Sequence, residues 1–359
     1  MIKRYICWLT IMVTSQSLAI DFSPASPLPS ATLQDNHVVS KIGFGSCFDP
    51  EKGDQIFEII GDQQPDLFLM IGDNVYPESE THDPNLQSLR NAYGKLAESK
   101  RFKTLRDQIP VMATWDDHDF GLNDAGGDWP LRSKSEALFE YVWVPGEDKR
   151  RTREGIYFSR TIGPVGRQVQ FIVLDTRSFR SPLLSSPNPL IARYQPDDSL
   201  DKTMLGKAQW TWLEATLKQP ADIRILVSSV QVIADGHAWE AWRMLPNERK
   251  RLYTLIRTTG AQGVIILSGD RHSAGLYRRD DITSYPLWEI TSSSLNLPLS
   301  SFASNITQEP GPFRKGDNYF HVNFGMIEVD WEDRHVILSI LDRRGQPVRD
   351  TLIRLEADQ

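Results

Sequence analysis

Four apolar, strand-length runs in this chain each break off into polar side chains of metal-ligand type. That recurrence constrains the fold more than any other feature. The runs are Val38–Gly45, Asp66–Ile71, Pro110–Trp115 and Val264–Ser268. The clusters that follow are Ser46-Cys47, Gly72-Asp73-Asn74-Val75-Tyr76, Asp116-Asp117-His118-Asp119 and Gly269-Asp270-Arg271-His272. Ligands of open α/β sheets bind at the carboxyl ends of strands, so a fold that aligns the four runs gathers the four clusters into one crevice. Two further β-branched runs, Gln168–Leu174 and Ile223–Ser228, have strand length. Helical spacing over Asp54–Asp62, Leu86–Leu96, 206–218 and 246–258 separates the runs. This alternation predicts a layered α/β fold. Two stretches without a period, 178–204 and 296–317, read as long loops, the first placed over the active site. The tail, Tyr319–Val329 and His335–Leu341, reads as a β-hairpin closing a sheet.

The N-terminus bears on compartment. Lys3 and Arg4 precede an apolar run, Tyr5–Val13, and Ser17-Leu18-Ala19 has the small-x-small form that signal peptidase cuts. Residues 1–19 are therefore expected to be a Sec-type signal peptide, 20–37 an extended leader and 38–359 the folded domain, exported to the periplasm or secreted. The apolar run is too short to span a bilayer, and no later stretch is long enough, so no transmembrane segment is expected. Loss of Lys3 and Arg4 takes the formal net charge from −7 to −9. That balance argues against general nucleic-acid binding, which depends on clustered cations.

With Cys7 inside the signal, Cys47 is the single remaining thiol and has no internal disulfide partner. A thiolate among carboxylates and a phenol suits iron or zinc better than calcium or magnesium. The acidic run from Asp116 to Asp124 would repel itself if desolvated without cations. His118 in that run is suited to protonating a leaving alkoxide or to holding a nonbridging phosphate oxygen. In an extended backbone Asp270 and His272 project to the same side, where both can serve one metal pair. Two other readings stay open: a non-catalytic metal- or phosphate-binding protein, and a hydrolase with Cys47 as nucleophile.

The order of these pieces resembles the PhoD-like alkaline phosphatases, relatives of the purple acid phosphatases and other metallophosphoesterases. The matching pieces are Ser46-Cys47, Gly72-Asp73 with Tyr76, Trp115-Asp116-Asp117-His118-Asp119 with Asn123, Leu174-Asp175-Thr176-Arg177 with Arg180, Leu205-Gly206 with Gln209, Trp212 and Leu213, and Gly269-Asp270 with His272. The resemblance implies a two-sheet α/β/β/α sandwich with metals at one edge. It implies that Cys47 and Tyr76 bind Fe3+, that Asp73 bridges to divalent cations such as Ca2+, and that Asp117, Asn123, Asp270 and His272 complete the divalent side. Asp116 and Asp119 would orient ligands, His118 would lie near the leaving group, and Arg177 would contact the phosphate or form a structural salt bridge. The implied reaction is hydrolysis of phosphate mono- or diesters, of small molecules or lipids, by water activated on the metals.

Overall fold

The computed structural model describes residues 21–79, 83–144, 152–188, 192–301, 308–309 and 311–355. The expected signal peptide lies outside the described residues. Two mixed sheets pack face to face. The first contains β1 (Lys41–Gly45), β2 (Leu67–Ile71), β3 (Val111–Thr114), β11 (Asn323–Asp330), β12 (His335–Asp342) and β13 (Pro347–Arg354), in the order β13-β12-β11-β1-β2-β3. The second contains β4 (Phe158–Ile162), β5 (Val169–Val173), β6 (Ile223–Val227), β7 (Val264–Ser268), β8 (Ala274–Arg279), β9 (Leu287–Ser292) and β10 (Arg314–Tyr319), in the order β10-β8-β9-β7-β6-β5-β4.

Strand periodicity explains the layers. In β2, Leu67, Leu69 and Ile71 face the other sheet, while Phe68 and Met70 face helices. In β7, Ile265 and Leu267 face inward, while Val264 and Ile266 face the opposite helical layer. Side chains alternate across a strand, so an unbroken apolar run signals burial on both faces. Helices α1 (Ile56–Asp62), α2 (Gln87–Glu98), α3 (Lys100–Gln108) and α5 (Arg132–Trp143) cover the first sheet through Phe57, Leu89, Phe102 and Phe139. Helices α6 (Gly206–Leu217) and α7 (Pro246–Thr258) cover the second through Leu213, Leu252 and Ile256. A single turn, α4 (Asp117–Phe120), follows β3. The result is the α/β/β/α sandwich expected from the resemblance.

The tail differs from a simple hairpin. β11 and β12 pair as expected, but a third strand, β13, extends the ladder, and β11 joins β1 antiparallel. Residues 21–40 form neither helix nor strand, yet Ala25, Leu28, Leu33 and Val39 are buried. Among the described residues no helix is long and apolar enough to cross a membrane.

β1, β2 and β3 run parallel, as do β5, β6, β7 and β9. Hydrogen bonds between the sheets bring their carboxyl ends together. Thr114 Oγ1 donates to Leu174 O at 3.0 Å, Leu295 N to Ser46 O at 2.9 Å, and Ser46 Oγ to Ser292 O at 3.3 Å.

Candidate metal centre

The chain leaves β1 at Cys47 and β2 at Asp73 in left-handed conformations, with φ of 57° and 48°. Asp270 (67°), His272 (49°) and Asp124 (53°) share this conformation. It disfavours side chains with a Cβ and costs about 1–3 kcal/mol at each residue. Five of the eight such non-glycine positions among the described residues therefore cluster at one edge of the sandwich. Gly72 (φ 115°) lets the β2 turn approach β3, because a Cβ there would come within 2.7 Å of the Asp116 Cβ.

These turns converge the side chains. Single ligand atoms from Cys47, Asp73 and His272 lie within 4.8 Å of one another, as do those of Asp73, Asp117 and His118, and those of Asp116, Asp117 and Asp270. Asp73 joins the groups. Its Oδ2 accepts from Tyr76 OH at 2.8 Å and Cys47 Sγ at 3.5 Å, and its Oδ1 accepts from His118 N at 3.3 Å. The Tyr76 ring lies against His118, with centroids 4.2 Å apart. Ser293 Oγ contacts Cys47 Sγ at 3.1 Å and accepts from His272 N at 2.9 Å. The His272 ring contacts Leu297 O through Nδ1 at 2.5 Å, which fixes its orientation as an outer partner does for a ligating imidazole. Asn123 is half-buried in the turn after α4, beside Asp124.

Burial dominates the electrostatics. It pushes the Asp73 and Asp270 carboxyls well above the usual carboxylate range, and neighbouring carboxylates add to the shift. The Cys47 thiol is pushed up to about 11, again chiefly by burial. Asp116 is pushed up to about 7 despite the opposing guanidinium of Arg177. Among these carboxyls only Asp117 moves down, because His118, Arg177 and the Asp124 amide outweigh its burial. Burial also pushes the His118 and His272 imidazoles down.

Asp119 and Arg177 are taken up by protein partners at the flank of this convergence. The Asp119 carboxylate accepts from Asn74 N at 3.0 Å, Asp116 N at 3.1 Å and Tyr93 OH at 3.0 Å, so it pins the β2 and β3 turns together. Sequence leaves Arg177 two roles, and the geometry matches the salt bridge. The side chain is fully buried, Nε donates to Asp116 at 2.6 Å, Nη2 also meets Asp116, and Nη1 reaches Glu240 at 2.7 Å and Ala125 O at 3.2 Å. The guanidinium is thus engaged by Asp116, Glu240 and Ala125 O.

Sequence reasoning missed Glu240 and passed over Asp124. Their ligand atoms lie within 4.8 Å of each other and of Asp117. Asp124 belongs to the acidic run and was open to detection. Glu240 is a lone acid in Ala238-Trp239-Glu240-Ala241 and carries no local signal. Its segment is held by another buried acid, Glu289 on β9, which accepts from Val232 N at 2.8 Å, Ile233 N at 2.6 Å and Ala234 N at 3.2 Å. Glu289→Ala strands these donors and should cost about 3 kcal/mol in urea unfolding, with Glu289→Gln recovering part of the loss. An unchanged midpoint would show that water replaces the carboxylate there.

Solved structures share this sandwich. That of PhoD superposes with a TM-score of 0.67 over 92% of this chain and 70% of its own, at 18% identity. A purple acid phosphatase, PPD1 from yellow lupin seeds, superposes with a TM-score of 0.53 over 92% of this chain and 55% of its own, at 12% identity. The fold is thus one shared with PhoD and with this purple acid phosphatase. The profile described as PhoD-like phosphatase matches residues 42–336, and the chain belongs to that family. It is 23% identical over 257 residues to alkaline phosphatase D of Bacillus subtilis (strain 168), a match spanning 62% of this chain and 42% of the relative.

Proposed function

We propose that this chain is an exported, metal-dependent phosphoesterase that hydrolyses phosphate mono- or diesters, with residues 38–359 as its catalytic domain. One observation carries the reading. A buried thiol, a phenol, two imidazoles and six carboxylates (Asp73, Asp116, Asp117, Asp124, Asp270 and Glu240) meet at one sheet edge, where Arg177, Arg180 and Arg193 balance only part of the negative charge. Asp116 Oδ2 and Asn74 Oδ1 are buried there without a hydrogen-bond donor. Such a cluster is costly unless cations enter it.

The donor types fit this view. Cys47 and Tyr76 suit a trivalent iron, and Asp73 would be shared with a divalent side held by Asp117, Asn123 and Asp270, for which calcium is the expected ion. His272, expected on the divalent side, lies within the Cys47–Asp73 group and so stands between the two. Bound cations would supply Lewis acidity and a water that ionises near neutral pH. The chain's own groups orient and complete the reaction. His118, beside Asp73 and Asp117, would hand a proton to the leaving oxygen. Arg177 positions Asp116. The substrate is a small-molecule or lipid phosphate ester, not a specific nucleic acid.

The purified protein should contain iron and a divalent metal by elemental analysis and should hydrolyse p-nitrophenyl phosphate or its bis ester. Dialysis against chelator should remove activity, and added cations should restore it. Undiminished turnover by metal-free protein would sink the proposal. Cys47 is fully buried, and burial pushes its thiol up to about 11 in the metal-free protein, which disfavours it there as a nucleophile. Inactivation of metal-free but active protein by iodoacetamide would instead favour that role. Bound metal with no turnover at any pH would leave a binding protein on this scaffold.

A further inference from the structure

Among the described residues, the large hydrophobic side chains left exposed are Val165, Leu184, Leu200, Trp239 and Leu352, and Trp239 alone is aromatic. A single exposed hydrophobic residue is ordinary on a protein surface. What sets Trp239 apart is its position between two parts of the centre. Its chain neighbour Glu240 is buried and paired with Arg177. Its neighbour in space is Arg271, the residue between Asp270 and His272, whose guanidinium carbon lies 6.0 Å from the indole centroid. Arg271 is held by an ion pair to Glu309, yet its Nε is buried without an acceptor.

The backbone beneath the indole is fixed. Trp239 N donates to His237 Nδ1 at 3.2 Å, and Ala238 O accepts from Tyr194 N at 2.9 Å. Tyr194 OH in turn donates to Asp124 Oδ2 at 2.7 Å, which ties the 192–204 segment to the acidic turn. The indole thus stands at the margin of the centre on a fixed segment, with Arg271 beside it and 51% of its residue surface open. An ester bound at the centre with its alcohol directed toward this margin would bring that alcohol to the indole. An indole there offers a face on which a planar ring stacks.

We propose that Trp239, steadied by Arg271, forms a leaving-group subsite for phosphate esters whose alcohol carries a planar ring, as nucleoside and aryl esters do. This rests on the phosphoesterase reading above. The test compares adenosine 5′-monophosphate with 1-O-methyl-ribose 5-phosphate, which release the same type of primary hydroxyl and differ in the ring. The native enzyme should favour the nucleotide in kcat/KM by about tenfold, the scale of one stacked base. Trp239→Ala should bring that ratio close to one, and Trp239→Phe should keep most of it. A native ratio of one, or a ratio unmoved by Trp239→Ala, overturns the subsite. Should the metal-loaded protein hydrolyse neither compound, the phosphoesterase reading fails separately. Calorimetric titration then decides the subsite. Tighter binding of the nucleotide that is lost in Trp239→Ala supports it, and equal affinities overturn it.

Discussion

Asp73→Asn should lower kcat by about 10³-fold, at the upper end of what removing one preorganised electrostatic partner costs an active site. The reason is the carboxylate's place at the junction of the centre. One oxygen receives Tyr76 and Cys47, while the other receives the backbone N–H of His118. An amide of the same shape keeps the packing but cannot bridge two cations. Stability should move the other way in the metal-free protein. The folded-state Asp73 carboxyl lies well above its ordinary value, through burial and then through Asp117. Native protein therefore binds a proton that the unfolded chain has already released. Its contribution to stability is complete below the ordinary carboxylate pKa and is lost as pH rises through the folded-state value. Metal-free Asp73→Asn lacks this loss, so it should melt above metal-free native protein at pH 8, with the gap narrowing toward pH 5. Metal-loaded protein should show the reverse order. If the variant keeps its metals and its rate, Asp73 is not the bridge.

Much of this arrangement was legible in sequence because strand burial leaves a plain mark. β1, β2, β3, β5, β6 and β7 are largely apolar runs whose only charged or amide side chains are Lys41, Gln170 and Arg224, and each lies within three residues of its expected bounds. The polar clusters at four of those ends were equally visible, and the turns that gather them fall where glycine or a sharp polar step was read. The strands that escaped notice have a different chemistry. β8 ends in Arg278-Arg279, β10 contains Lys315, Gly316 and Asp317, and β13 alternates Arg349, Asp350 and Arg354 with smaller apolar positions. Of the strands absent from the sequence reading, β8 and the fully buried β9 lie inside the second sheet, and edge exposure does not account for them. β4, β10 and β13 lie at sheet edges half in water, where little hydrophobicity is needed and the pattern blends into that of loops. Helix α3 was missed for a similar reason, since Phe102, Leu105 and the stem of Arg106 are all it buries.

The site was legible as a list of residues but not as a network. Cys47, Asp73, Asp117, Asp270 and His272 could be named from strand ends, yet nothing local revealed that Glu240 would lie opposite them. Its side chain arrives through a segment held by Glu289, a contact 55–57 residues away along the chain. Long-range pairing of that kind leaves no period to read. The same holds for Arg177, whose motif suited a phosphate contact as well as a salt bridge until its partners were visible.

That ambiguity sets the second large effect. Arg177→Met should destabilise the protein by about 3–5 kcal/mol in urea, the usual cost of removing one partner from a buried ion pair. Asp116 and Glu240 would be left desolvated with no guanidinium between them, and Asp116 is already pushed up to about 7 with the arginine present. Arg177→Lys should recover little, because an ammonium cannot serve Asp116 through two nitrogens while reaching Glu240 and Ala125 O. Adding Asp116→Asn and Glu240→Gln to Arg177→Met should restore much of the stability, since the triple variant buries no unpaired charge there. Steady-state kinetics separate this role from phosphate contact. A phosphate-binding arginine gives a variant with a raised KM and native stability, whereas a positioning arginine gives a variant that unfolds early. In the second case kcat falls through Asp116, and Asp116→Asn alone should reproduce part of that fall. A stable Arg177→Met protein with an isolated KM defect would return Arg177 to the substrate.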